Sequence, residues 1–400
     1  MKKGISILVW LLIACSLSSK AQLIKMNDGH HVSFVSKEQY TSGAMQMDDY
    51  LFLLRGKNVG IVGNQTSIVG GTHLVDTLID YGINIKKIFT PEHGFRGTAD
   101  AGAKINNGKD EKTGIPILSL YGKTKKPTPE MLQGIDLILF DLQDVGVRFY
   151  TYISTLAYVM EAAAENGIPV IVLDRPNPNG FYVDGPILKA ENKSFVGMHP
   201  VPVVYGMTIG EYGKMINGEG WLANNVACDL TVIAMKDYNR NAIYELPVKP
   251  SPNLPNWEAV YLYPSLCFFE GTIVSIGRGT DLPFQVFGHP DMRGDYTFTP
   301  RSTAGASKPL LENQRCRGEN LVEFAHGYPF NPSQLHLEWV INAYKQLSGK
   351  DFFTKYFHLL SGDKNLRTQI ETGMNEQEIR STWKNEIETF LKTREKYLIY

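Results

Sequence analysis

Cysteine is scarce: the 400 residues hold four, Cys15, Cys228, Cys267 and Cys316, with no C-x-x-C spacing. That argues against a disulfide framework and a zinc knuckle, leaving room for one bridge at most. An excess of either charge is missing too. Lys and Arg number 40 against 41 Asp and Glu, for a formal net charge of −1 with no basic block, so the electrostatic footprint of a nucleic-acid binder is absent. Past the N-terminal region, no apolar run reaches the roughly 18 residues that a membrane-crossing helix needs. Nucleotide motifs are also lacking. Gly60-x-x-Gly63 is neither G-x-G-x-x-G nor a P-loop, and Gly277-Arg278-Gly279 has no third glycine. The serine-hydrolase G-x-S-x-G elbow is missing, as are the H-x-H and H-E-x-x-H metal spacings. No cofactor and no metal are called for, and the expected partner is a small or neutral ligand.

What is present begins with a leader. Lys2 and Lys3 precede an apolar run from Ile5 to Ala14, followed by serines and Ala21, the pattern of a signal peptide spanning residues 1–21. Leu12-Ile13-Ala14-Cys15 also reads as a lipobox, so a lipid anchor at Cys15 stays open; soluble periplasmic export is the favoured expectation. Hydrophobic content of 43% supplies real cores, and the length implies two or three domains at about 150 residues each.

Short β-branched runs then alternate with helical patterns. Strands are expected at Val59 to Val62, Ile83 to Phe89, Asp136 to Phe140, Val170 to Leu173 and Leu230 to Met235. Helices are expected near Leu74 to Tyr81, Pro129 to Gln133, Tyr152 to Asn166 and Ile209 to Asn217. Such alternation implies parallel pairing through right-handed crossovers, hence a Rossmann-like doubly wound α/β sheet. It stops at Pro247-Val248-Lys249-Pro250-Ser251-Pro252-Asn253-Leu254-Pro255, where the prolines exclude helix and central strand alike. The expected division is 22–248 for the Rossmann-like domain and 249–400 for a smaller α+β domain, whose amphipathic helices lie near Ser333 to Leu347 and Glu376 to Lys396.

Ligands of open parallel sheets bind outside the carboxyl ends of the strands. Four successive strand ends there carry polar groups: Asn64 and Gln65; Glu92, His93 and Arg96; Asp141, Gln143, Asp144 and Arg148; Asp174, Arg175 and Asn177. Glu92 stands between Phe89 and Phe95, and Glu270 follows two phenylalanines, the apolar settings in which a carboxyl becomes a general acid. Asp141 and Asp144 point to opposite sides of an extended segment. Tyr150, Tyr152, Trp257 and Phe284 are candidates to stack on a ligand. Against each stands a bland reading: Glu92 salt-bridged to Arg96, Arg148 paired with Asp144, Glu270 in a structural ion pair. A metal-dependent hydrolase built on Asp141, Asp144, His93 and His289 is a further alternative.

Glu92-His93-Gly94-Phe95-Arg96-Gly97, Asp141 to Arg148 with Phe149-Tyr150-Thr151-Tyr152, Leu173-Asp174-Arg175-Pro176-Asn177-Pro178, Ser251-Pro252-Asn253-Leu254-Pro255, and Phe269-Glu270-Gly271-Thr272 with Gly277-Arg278-Gly279-Thr280 occur in order along the chain. Together they resemble the NamZ-type exo-β-N-acetylmuramidases, a family long known only as a domain of unknown function. The resemblance covers Leu51 to the C-terminus. It implies a Rossmann-like domain, a smaller C-terminal domain and a cleft between them. It also implies release of terminal N-acetylmuramic acid from the non-reducing end of peptidoglycan fragments such as MurNAc-GlcNAc. Glu92 corresponds most naturally to the family's catalytic glutamate, with Glu270 or Asp144 as base or nucleophile, the two-carboxylate arrangement of glycoside hydrolysis. Arg148 or Arg278 would hold the lactyl carboxylate, while Asn64, Gln65, His93, Arg96, Asp141, Tyr150, Asp174 and Asn253 complete the expected substrate contacts. The alternative of another class is a non-catalytic periplasmic muropeptide-binding protein.

Overall fold

The computed structural model describes residues 23–25, 31–35, 40–92, 94–95, 107–327 and 333–400. The leader, His93 and Arg96 lie outside the described residues. Seven strands form the main sheet: β1 (Asn58–Gly63), β2 (Asn84–Thr90), β3 (Gly108–Lys109), β4 (Pro116–Ser119), β5 (Leu137–Asp141), β6 (Val170–Leu173) and β7 (Leu230–Ile233). Their order is β7-β6-β5-β1-β2-β4-β3, and all neighbours run parallel except the β3–β4 pair. β1 sits centrally, with Val62 level with Phe89 on one side and Phe140 on the other.

The strands read as continuous apolar runs because both faces are covered. Alternation sends Val59, Ile61, Leu137, Leu139, Ile171 and Leu173 to one face, against helices α1 (Met47–Leu54) and α2 (Leu74–Asp80). Val62, Phe89, Ile138, Phe140, Val170 and Val172 go to the other face, against α3 (Tyr152–Glu165) and α4 (Ile209–Gly218). The core on that second face runs without interruption into the C-terminal part through Phe268, Phe269, Phe287 and Phe357. α4 opens on a capping box between Thr208 and Glu211, which supplies its orphan amides.

The C-terminal part is α+β. Val286–His289, Cys316–Asn320 and Tyr296–Phe298 make a three-stranded antiparallel sheet, flanked by helices that include α5 (Trp257–Leu266), α6 (Tyr356–Ser361) and α7 (Glu376–Glu395). Tyr263 to Gly271, where the sequence reading placed no helix, completes α5 and a 3-10 turn, Cys267–Gly271. Asn256 caps α5 on the Ala259 amide, and Pro264 in its last turn leaves the Val260 carbonyl without a helical donor, a place taken by Asn179 Nδ2 at 3.2 Å. Elements that the sequence reading did not expect include β3, β4 and α1; β4 opens on Pro116, at the first strand position, where no ladder bond is lost. The single bridge that cysteine usage left open does not form: Cys228, Cys267 and Cys316 are buried free thiols. Among the described residues no helix is long and apolar enough to cross a membrane.

At the carboxyl edge of β5 and β6 a buried ion pair joins the strands. Arg175 donates through Nε and Nη2 to the two oxygens of Asp141 at 2.5 and 2.8 Å, and both side chains are buried. Breaking one side of such a pair leaves a naked charge inside the protein. Arg175→Met is expected to cost about 3–5 kcal/mol of unfolding free energy, read by urea denaturation; a loss under about 1 kcal/mol would show that solvent reaches Asp141.

Candidate active site

Most polar side chains at the strand ends are consumed by the fold. Asn64 donates from Nδ2 to the Tyr152 hydroxyl at 2.8 Å and accepts from the amide and hydroxyl of Thr66. Gln65 donates to the carbonyls of Lys249 and Pro250. Asp174, fully buried, accepts from the hydroxyls of Thr208 and Tyr400 and from the amides of Arg175 and Gly210. Asn253 donates to the Gly305 carbonyl at 2.8 Å.

Arg148 departs furthest from both of its readings. Its guanidinium is enclosed by the carbonyls of Pro186, Val201, Leu360 and Ser361, at 2.6 to 3.0 Å. It meets neither Asp144 nor the cavity described below. Burial lowers its pKa to about 9. Asp144 accepts from the Tyr205 hydroxyl and the Gly146 amide, away from Asp141, as their alternation requires. Its other oxygen is buried without a hydrogen-bond partner among the described residues.

A cavity of about 830 Å³ does gather other expected residues: Glu92, Tyr150, Tyr152, Glu270, Arg278 and Phe284 all line it. That volume falls within the range of small-ligand sites. Glu92 enters on the loop after β2. Glu270 enters from the C-terminal part on its 3-10 turn, which packs against α6. The packing depends on Gly271: a Cβ there would stand 2.4 Å from the Phe357 Cα. Arg278 follows Gly277, whose φ of +76° belongs to the left-handed region that glycine tolerates.

Glu270 is held on both sides. Arg278 Nε and Nη2 donate to Oε1 at 2.9 and 2.6 Å, and the Cys267 thiol donates to Oε2 at 3.4 Å. Burial opposes the Arg278 charge, but Glu270 outweighs it and holds the guanidinium above its ordinary pKa. The guanidinium also lies 5.0 Å from the centre of the Phe284 ring. Burial, then the charge of Glu92 and a hydrogen bond to it, raise the Tyr121 phenol. Burial likewise raises Tyr150, Tyr152 and Tyr356, each of which also feels the charge of Glu92; Tyr356 feels Glu270 as well. These phenols stay protonated near neutrality, so they line the cavity without adding negative charge, and Tyr121 gives its hydrogen bond to Glu92. Tyr150 is oriented by donating to the Pro250 carbonyl at 2.8 Å.

The cavity therefore joins Glu92, Glu270, Tyr150 and Arg278, while Asn64, Gln65, Asp141, Asp144, Arg148, Asp174 and Asn253 do not line it. Asp141 is taken by Arg175, Asp144 by Tyr205, and His289 lies 3.7 Å from Asp291. No group of three metal-ligating side chains forms among the described residues. Trp257 lines a smaller groove beside Pro247 and Pro255. Sequence reading missed Tyr121 and Lys125, which follow β4, together with Ser194, Phe195 and Tyr356. The strand-end rule would have found the first two had Pro116–Ser119 been recognised as a strand.

Residues 59–258 match the family described as exo-β-N-acetylmuramidase NamZ, N-terminal, and residues 261–400 match its C-terminal counterpart. The peptidoglycan β-N-acetylmuramidase NamZ of Bacillus subtilis is 41% identical over 377 residues, which is 88% of this chain and 89% of that protein. Two crystal structures of DUF1343-family proteins from Bacteroides fragilis are similar. One is 46% identical with a TM-score of 0.83 and the other 30% identical with a TM-score of 0.78; each comparison covers 90% of this chain and 99% of the other.

The two carboxylates buried away from the cavity have a pH signature. Burial raises both Asp144 and Asp174 from the ordinary 3.8 to about 6. Between those values the unfolded chain ionises freely while the folded one keeps its protons. The stability these groups contribute is therefore full below about pH 4 and lost as pH rises through about 6. Urea unfolding of Asp144→Asn and the parent should show the variant gaining roughly 3 kcal/mol relative to the parent between pH 4 and pH 7. A difference that does not change with pH would contradict the assignment.

Proposed function

The chain belongs to the exo-β-N-acetylmuramidase NamZ family, and on that premise we propose that it is a glycoside hydrolase releasing terminal N-acetylmuramic acid from the non-reducing end of peptidoglycan fragments such as MurNAc-GlcNAc. One observation carries the site assignment: two carboxylates from distant segments, Glu92 and Glu270, open onto one sugar-sized cavity walled by protonated tyrosines. Glycosidic cleavage needs a proton on the departing oxygen and a negative charge facing the developing oxocarbenium ion. In our assignment Glu92, hydrogen-bonded to Tyr121, delivers the proton. Glu270, fixed by Arg278 and Cys267, supplies the base or nucleophile. Asp144 is left out of this assignment because Tyr205 and Gly146 occupy it outside the cavity.

Tyr150, Tyr152 and Phe284 offer ring faces to the apolar face of a pyranose. Export by the N-terminal leader, in soluble form rather than through Cys15, belongs to the same proposal, because peptidoglycan lies outside the cytoplasmic membrane. The muropeptide-binding alternative requires only a cleft and predicts no turnover.

A chromogenic β-glycoside of N-acetylmuramic acid tests the assignment directly. Glu92→Gln should lower kcat by about 10²–10⁴-fold, with the thermal unfolding temperature unchanged. Near-parental turnover in that variant would remove Glu92 from the mechanism, and parental protein that binds the sugar without cleaving it would favour the binding-protein reading.

A further inference from the structure

Lys125 and Lys126 are neighbours in the loop after β4, yet their ammonium groups diverge. Lys126 is pinned to α3 by Glu161 and Glu165, each at 2.7 Å. Lys125 lines the cavity instead, 4.5 Å from the centre of the Phe195 ring, and no carboxylate or carbonyl among the described residues takes it up. The two arginines expected to meet a substrate anion are already engaged: Arg278 by Glu270, Arg148 by four carbonyls. Lys308, the other lysine lining the cavity among the described residues, is exposed.

The surroundings of Lys125 are built for a small group carrying both charge and apolar surface. Phe195 stacks on Tyr158 with ring centres 6.1 Å apart, which fixes the shelf under the ammonium. Ser194, next in the chain and also lining the cavity, has a buried hydroxyl without a hydrogen-bond partner among the described residues. Its turn is closed by paired amide–carbonyl bonds to Gly197 at 2.8 and 3.1 Å. An ammonium that is half removed from water, backed by a ring and beside an idle hydroxyl, is poised for a charge-assisted bond to a carboxylate.

We propose that Lys125, with Ser194 and Phe195, is the specificity-determining site for the lactyl carboxylate of the substrate sugar. The ammonium and hydroxyl meet the carboxylate, while Phe195 and Val196 receive the lactyl methyl group. The inference rests on the muramidase reading and assigns the part of the cavity that distinguishes N-acetylmuramic acid from a sugar without the acid.

Two chromogenic β-glycosides test it, one of N-acetylmuramic acid and one of its lactyl methyl ester. Lys125→Met, which keeps the stem on Phe195, should lower kcat/KM on the acid by about 10- to 100-fold, mainly through KM. Turnover of the ester should be unchanged, and Lys125→Arg should recover most of the preference. Equal losses on acid and ester would reduce Lys125 to a structural role and overturn the proposal. So would an intact preference in Lys125→Met, or its loss in Lys308→Met instead. If the parental protein cleaves neither glycoside, the hydrolase reading has failed. Calorimetric affinities for N-acetylmuramic acid and its methyl ester then decide Lys125 by the same ratio.

Discussion

In this parallel sheet the carboxyl ends of β1, β5 and β6 are buried as well as the faces, and that constraint organises the molecule. Polar groups where these strands leave the sheet are driven to find partners inside the protein, because an unpaired one costs about as much as a lost hydrogen bond. The chain answers with a connected set. Asp141 binds Arg175, Asp174 gathers two hydroxyls and two amides, Asn64 ties Tyr152 to the first loop, and Ser67 donates to the Asp141 carbonyl. These bonds make the floor beneath the cavity stiff. They also explain why so many acids and amides at strand ends do not line the cavity.

The groups that meet the cavity come from places less bound by that requirement. Glu92 stands one residue beyond Pro91, where β2 has ended, and Glu270 sits on a 3-10 turn outside the sheet. Around them the phenols of Tyr121, Tyr150, Tyr152 and Tyr356 are raised by burial and so keep their protons. A wall of neutral donors lets two carboxylates share a small volume without further like charge between them.

The doubly wound sheet was legible because period-two and period-3.6 patterns alternate with few interruptions, and α2, α3, α4 and α7 fall within a residue or two of where periodicity puts them. β4 was not, since four residues opening on proline carry too little pattern, and with it went Tyr121 and Lys125. α5 was hidden by its aromatic content and Pro264, which suggest extended chain until the Asn256 cap is seen. At the site, Glu270 came from its apolar setting, Arg278 from its glycine-flanked motif, and Glu92 and Tyr150 from the rule that looks to loops at strand ends, and all four line one cavity. The same rule also collected Arg148 and Asp174, because sequence shows that a polar group needs a partner without showing whether the partner is protein or ligand.

The two carboxylates of the cavity belong to parts of the chain that share a core but not a sheet, so something must hold those parts in register. The last residues do much of this. The Tyr400 hydroxyl donates to Asp174 at the end of β6, and the Ile399 amide donates to Glu211 in the capping box of α4. Arg394 reaches the Gly206 carbonyl and Arg240 bridges Gly206 to Glu211, so α7 is stapled to the loop before α4. Arg148 works in the same sense from the other side, since two of its four carbonyls lie at the end of α6, whose Phe357 packs against Gly271 of the turn carrying Glu270. Buried charge is thus used here as a clamp between segments far apart in sequence. The relative placement of the two segments that carry Glu92 and Glu270 thus rests in part on contacts outside the cavity, while Tyr121 and Arg278 orient the carboxylates within it.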